Sequence, residues 1–164
     1  MTEEIETQLK VAASQIRRQK WFKGDWTLQH TQSDPDGTPW VGMQLSKSNW
    51  FNDDGMGIHF ETWVGEKDLK KSKLPFVLHI LHQAFFPGTD VKAVEFMRRW
   101  HAIPEPAELV SSWPGYKVGR AKPFTGERKF DPEDISVTIV DEFTRLHILG
   151  SYVDQVLQEL IPGQ

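Results

Sequence analysis

The chain contains no cysteine, which excludes disulfides, thiol nucleophiles and cysteine-ligated zinc and suits an intracellular protein. No run approaches the roughly 20 apolar residues of a membrane-spanning helix. The opening residues, MTEEIETQLK, are acidic and carry no apolar signal core. Neither sign of charge dominates: 19 basic against 23 acidic residues leave −4, too little to draw the chain to DNA or to an anionic membrane. Phosphate loops, G-x-G-x-x-G, H-E-x-x-H and G-x-S-x-G are all missing. Asp53, Asp54 and Glu61 resemble the acidic spacing of metal-dependent nucleases, but Trp63 stands where a lysine would be needed. Internal repeats and low-complexity tracts are absent too. Length, with 38% hydrophobic and 26% charged residues, indicates one soluble domain over residues 1–164, expected to be cytoplasmic.

Large rings are abundant. Seven Trp and ten Phe against two Tyr supply a ring-rich core, a binding face, or both. Residues 2–20 read as a helix, with Ile5, Leu9, Ala12, Ala13 and Ile16 on one stripe, acids at the start and bases at the end. The period then changes to two. WTLQHT (Trp26 to Thr31) and WVGMQLS (Trp40 to Ser46) flank the turn-rich SDPDGTP and read as a hairpin. After NWFNDDG come GMGIHFETWVG (Gly55 to Gly65), a charged loop EKDLKKSK, and the apolar strand PFVLHILH (Pro75 to His82).

Asp90 is placed to cap a helix carrying Val91, Val94, Met97 and Trp100. Residues 101–115, with three prolines, read as a surface crossing, and YKVGRAKPF as a fifth, edge-like strand. Asp131-Pro132-Glu133-Asp134 opens a final helix striped by Ile139, Phe143, Leu146, Gly150, Val153, Leu157 and Leu160. About 29 residues make a rod of roughly 43 Å, longer than a four-stranded sheet is wide, so part of it needs the first helix or a second subunit to pack against. Gly150 in the stripe implies close approach of another backbone. The expected architecture is α+β: an antiparallel four- to five-stranded meander, with the N-terminal helix and the long C-terminal helix packed mainly on one face.

Side chains alternate across a strand, so parity assigns faces. Ile58, Phe60, Val64, Phe76, Leu78, Ile80, Val41, Met43 and Leu45 suit the helix side, as do Trp26 and Leu28. The opposite face then displays Thr27, Gln29, Trp40, Gly42, Gln44, His59, Glu61, Trp63, Val77, His79 and Leu81. Rings among convergent polar groups mark a recognition surface. The binding candidates are Trp40, Gln44, His59, Glu61, Trp63 and His79.

The leading expectation is a non-enzymatic recognition module that binds a protein partner, or a second copy of itself as a homodimer, through this face. The alternative is a metal-dependent enzyme or small-ligand-binding protein using His59, Glu61 and His79, since two imidazoles and a carboxylate suit zinc or non-haem iron. A Glu beside a His also serves acid–base catalysis. The bland reading of the trio is a cross-strand Glu–His pair. A third possibility is a carrier of apolar ligands. RRQKWFKGDW (Arg17 to Trp26) interleaves bases and rings as nucleic-acid binders do, against the overall acidity. Among the other histidines, His82 carries core parity and His30 marks where the first strand leaves the core. His101 falls in the crossing, and His147 flanks the long-helix stripe. The residues identify no cofactor or substrate.

Overall fold

A computed structural model describes residues 3–33 and 36–163. The first helix, α1 (Glu3–Arg17), begins with three acids and buries the five apolar residues of its stripe. The strands β1 (Trp26–Gln32) and β2 (Trp40–Lys47) pair antiparallel, with Leu28 opposite Leu45 and Gln29 opposite Gln44. Asp34 and Pro35 of the expected turn lie outside the described residues. β3 (His59–Gly65) and β4 (Lys73–His79) continue the meander, in a register that sets His59 opposite His79 and Glu61 opposite Val77.

The assignment by parity holds through these four strands. Met43, Leu45, Phe60, Val64, Phe76 and Leu78 are fully buried against the helices. It fails where β4 ends at His79: Leu81, expected on the open face, packs against the core. A charged loop was expected between β3 and β4. It is a short helix, α2 (Glu66–Lys71), whose acids lead and whose lysines follow, and Ser72 in the left-handed conformation ends it.

The sheet has six strands, one more than expected, in the order β1-β2-β3-β4-β6-β5. Of the anticipated edge strand YKVGRAKPF only β5 (Tyr116–Val118) forms; residues 119–123 are loop and Phe124 starts the next strand. β6 (Phe124–Lys129) was not anticipated and enters between β4 and β5, with Val77 opposite Thr125 and Lys117 opposite Thr125 on its other side. FTGERK shows little apolar alternation of its own, and pairing on both edges makes it a strand.

The proline-rich crossing is also helical. α3 (Ala93–Ala102) starts after Lys92 rather than at Asp90 and buries Phe96 and Trp100. α4 (Pro104–Ser112) has Pro104 at its first position, where the missing N–H costs nothing.

The C-terminal helix takes Asp134 rather than Asp131 as its N-cap and begins at Ile135, as α5 (Ile135–Leu146). It passes through a 3-10 turn (His147–Leu149) into α6 (Gly150–Leu160). Its length is used within the chain, since α5 packs on α1 and α6 on α3. Gly150 faces a side chain rather than a backbone: a Cβ there would meet Trp26 Cη2 at 2.8 Å. Buried Glu142 ties α5 to the sheet edge, accepting from the Tyr116 hydroxyl at 2.6 Å and from Arg128 Nε at 2.9 Å.

Candidate functional site

The helices cover one face of the sheet, and the other carries the polar row. Five of the six expected residues (Trp40, Gln44, Glu61, Trp63 and His79) line a single cavity of about 420 Å³. The sixth, His59, is fully buried and sits beside Glu61 and His79. Gly55, Met56, His82 and Lys122 complete the lining.

Residues 48–58 connect β2 to β3 and fold back over the polar face. A Cβ on Gly57 would lie 1.9 Å from the Phe51 carbonyl oxygen, so only glycine permits this crossing. Phe51 itself adopts a left-handed backbone, with φ 57°. The crossing brings Asn52, almost fully buried, beneath the row.

Asn52 fixes the histidine. The Gly57 N–H donates to Asn52 Oδ1 at 2.9 Å, which establishes that atom as the oxygen. Its Nδ2 donates to Gln44 Oε1 at 3.2 Å and to Ser46 Oγ at 3.4 Å. His59 Nδ1 lies 2.9 Å from both Asn52 Oδ1 and the Gly57 carbonyl oxygen. Between two acceptors Nδ1 must carry the proton, so the neutral ring presents its Nε2 lone pair elsewhere.

That lone pair points at Glu61. His59 Nε2 is 3.7 Å from Glu61 Oε2, and His79 Nε2 is 3.5 Å from the same oxygen. Both separations exceed hydrogen-bond length, and both ring nitrogens are buried without a hydrogen-bond partner. His79 repeats the arrangement of His59: its Nδ1 meets His82 Nε2 at 3.3 Å, leaving Nε2 for Glu61. Gln44 Nε2 donates to the other carboxylate oxygen, Oε1, at 3.3 Å and so turns Oε2 toward the histidines.

Charge reinforces the picture. Burial, the neighbouring His59, Lys122 and His82 outweigh the attraction of Glu61 and push His79 down to about 4, so it is neutral at neutral pH. Burial pushes Glu61 up, but the neighbouring His59, Gln44 and His79 more than offset it and hold the carboxyl below its ordinary range. Two imidazole Nε2 atoms and one carboxylate oxygen therefore converge, an array that either a ring proton or a cation between them would hold together.

Three members were not foreseen. His82 was assigned to the core by parity, but β4 ends at His79 and the chain turns, leaving His82 exposed at the cavity. The spacing H-x-x-H in HILH was the available signal. Asn52 belonged to NDDG, read as a turn that could touch a cation but needs no ligand, and Lys122 fell within the expected strand YKVGRAKPF, of which residues 119–123 are loop. His30 lies instead by a separate cavity of about 150 Å³ between α1 and the β1–β2 hairpin, and His147 stacks on Trp21 with centroids 4.3 Å apart. The bases of Arg17 to Trp26 flank rings engaged in the core: Trp21, Phe22 and Trp26 pack against it. No helix of the described residues is long and apolar enough to cross a membrane. No protein-family model, curated protein or solved structure matches this chain.

Proposed function

We propose that the protein binds a first-row divalent cation, zinc or iron(II), through His59 Nε2, His79 Nε2 and Glu61 Oε2, and offers the remaining coordination position to a small ligand in the cavity above. One observation carries this reading: two buried, unpartnered Nε2 atoms converge on one carboxylate oxygen at 3.5 and 3.7 Å. Tetrahedral ligands held at about 2.1 Å from a metal are about 3.4 Å from one another. The outer contacts fit as well. Each histidine engages its Nδ1, with Asn52 and Gly57 or with His82, and Gln44 holds the carboxylate. Such supporting contacts orient metal ligands and raise their basicity.

The ligand atoms that lie within 4.8 Å of one another are those of His59, His79 and His82, a group without Glu61, so His82 can join the shell or support His79. Three protein ligands leave a place for water or substrate, as in catalytic sites. There the metal would act as a Lewis acid on a carbonyl or phosphoryl oxygen, or lower the pKa of bound water. A cavity of about 420 Å³ admits a small molecule.

The test is zinc and iron(II) titration of purified, chelator-treated protein by calorimetry, beside Glu61→Gln and His79→Ala. One metal per chain is expected, with affinity lowered about a hundredfold or more in each variant. Wild-type protein that takes up neither metal refutes the site.

The half-buried Trp40 and Trp63 support the second reading, recognition of a protein partner or a second copy through this face. That reading predicts that Trp63→Ala with Trp40→Ala weakens association while the fold persists. Unchanged oligomer size and pull-down profile in that double variant would discard it.

A further inference from the structure

Lys122 belongs to two cavities. With Trp63 it lines both the pocket over the histidines and a neighbouring one of about 440 Å³ above β4, β6 and β5. Lys117, Val77, Pro75 and Thr125 form further walls of the second cavity. The register puts Glu61, Val77, Thr125 and Lys117 in one cross-strand row. Three strand spacings make that row about 14 Å long. Val77, buried beside Pro75 and the indole of Trp63, gives its middle an apolar patch next to Thr125.

The far end carries an excess of positive charge, Lys117 and Lys122 against Glu127. Among the described residues the lysine ion pairs belong to Lys47, Lys70 and Lys73, and Lys117 and Lys122 make none. Glu127, the acidic residue of the second cavity, is held by Lys73 at 2.9 Å. Two unpaired ammonium groups thus meet along one groove, in a chain whose net charge is −4. Beside an apolar patch, that arrangement selects an anion on a small apolar body rather than a polyanion.

We propose that the two cavities form one elongated substrate site for an anionic small molecule. Its carboxylate or phosphate is held by Lys122 and Lys117, its apolar body lies on Trp63 and Val77, and its other end reaches the Glu61–His79 position. This inference rests on the metal reading for the reactive end only. The lysine end is tested separately.

The probes are 3-phenylpropionate, 5-phenylpentanoate, the matching primary alcohols and phenylphosphonate. Each is titrated calorimetrically into zinc-loaded and into metal-free wild type, Lys122→Gln, Lys122→Arg and Lys117→Gln. Wild type should bind the carboxylates or the phosphonate more tightly than the alcohols, and whichever anion binds better identifies the acid group. Lys122→Gln should lose about tenfold or more of the anion affinity, with alcohol affinity unchanged, and Lys122→Arg should restore it. Carboxylate and phosphonate that bind no better than alcohol, or anion affinity untouched in Lys122→Gln, overturn the proposal. Failure of zinc uptake with lysine-dependent anion binding intact removes the metal reading and leaves the anion end standing.

Discussion

Asn52→Ala is the sharpest single perturbation of this site, because one amide holds the strand-linking loop, the histidine tautomer and the carboxylate support together. Asn52 is 3% exposed, accepts from Gly57 N–H and His59 Nδ1–H, and donates to Gln44 and Ser46. Truncation orphans the buried Gly57 N–H, whereas His59 Nδ1 keeps the Gly57 carbonyl and Gln44 Oε1 loses its donor. Each stranded buried group costs about 1–3 kcal/mol, so a loss of about 3–4 kcal/mol in folding stability is expected. A His59 ring held by the Gly57 carbonyl alone should also cost metal affinity about 10- to 100-fold, the usual penalty for removing an outer partner of a metal-ligating histidine.

Urea denaturation of metal-free protein reads the first quantity and zinc calorimetry the second. Asn52→Asp separates them. It keeps acceptors for His59 and Gly57 but sets a second acceptor against Gln44 Oε1, so metal affinity should recover further than stability. A stability loss below about 1 kcal/mol together with metal affinity within threefold of wild type would refute the account of His59 as an oriented ligand.

Acid should destabilise the metal-free protein through His79. Its folded pKa of about 4 lies below the unfolded value of 6.5, so the unfolded chain binds the proton first; stability is full above pH 6.5 and declines as pH falls toward 4. The His79 share at pH 5 is about 2 kcal/mol, read as the difference between the urea midpoints of wild type and His79→Gln at pH 7.5 and at pH 5. Parallel pH dependence in the two proteins would remove His79 as the cause. At Gly150 an added methyl would press on Trp26 at 2.8 Å. Overpacking of about 1–3 kcal/mol should exceed the gain of up to about 1 kcal/mol in helix propensity, so Gly150→Ala should lower the thermal midpoint; a rise would show that Trp26 yields without cost.

How much of this protein was legible in its sequence follows from which signals are local. Strand alternation is local, and it correctly put Gln44, Glu61, Trp63 and His79 on one face and Phe60, Phe76 and Leu78 on the other. Helical stripes are local too, and the buried residues of α1 were foreseen one by one. Where a strand stops is less local: β4 ends at His79, and of the three residues assigned by continuing its parity Ile80 is buried as expected, whereas Leu81 and His82 came out reversed. The prolines of residues 101–115 suggested irregular chain, because the same residue breaks a helix inside and starts one at its first position, and Pro104 starts one.

Sequence alone therefore determined the α+β class, the inner and outer faces of the first four strands, and a row of imidazole, carboxylate and indole on the outer face. Tertiary structure alone decided that β6 enters between β4 and β5, that Asn52 reaches under His59, and that Lys122 overlooks His79. Those residues arrive from loops or through pairing between segments far apart in the chain, and no spacing along the sequence encodes a contact made only when such segments close on one another. The row was written in the chain; its convergence on a single carboxylate oxygen came from the fold.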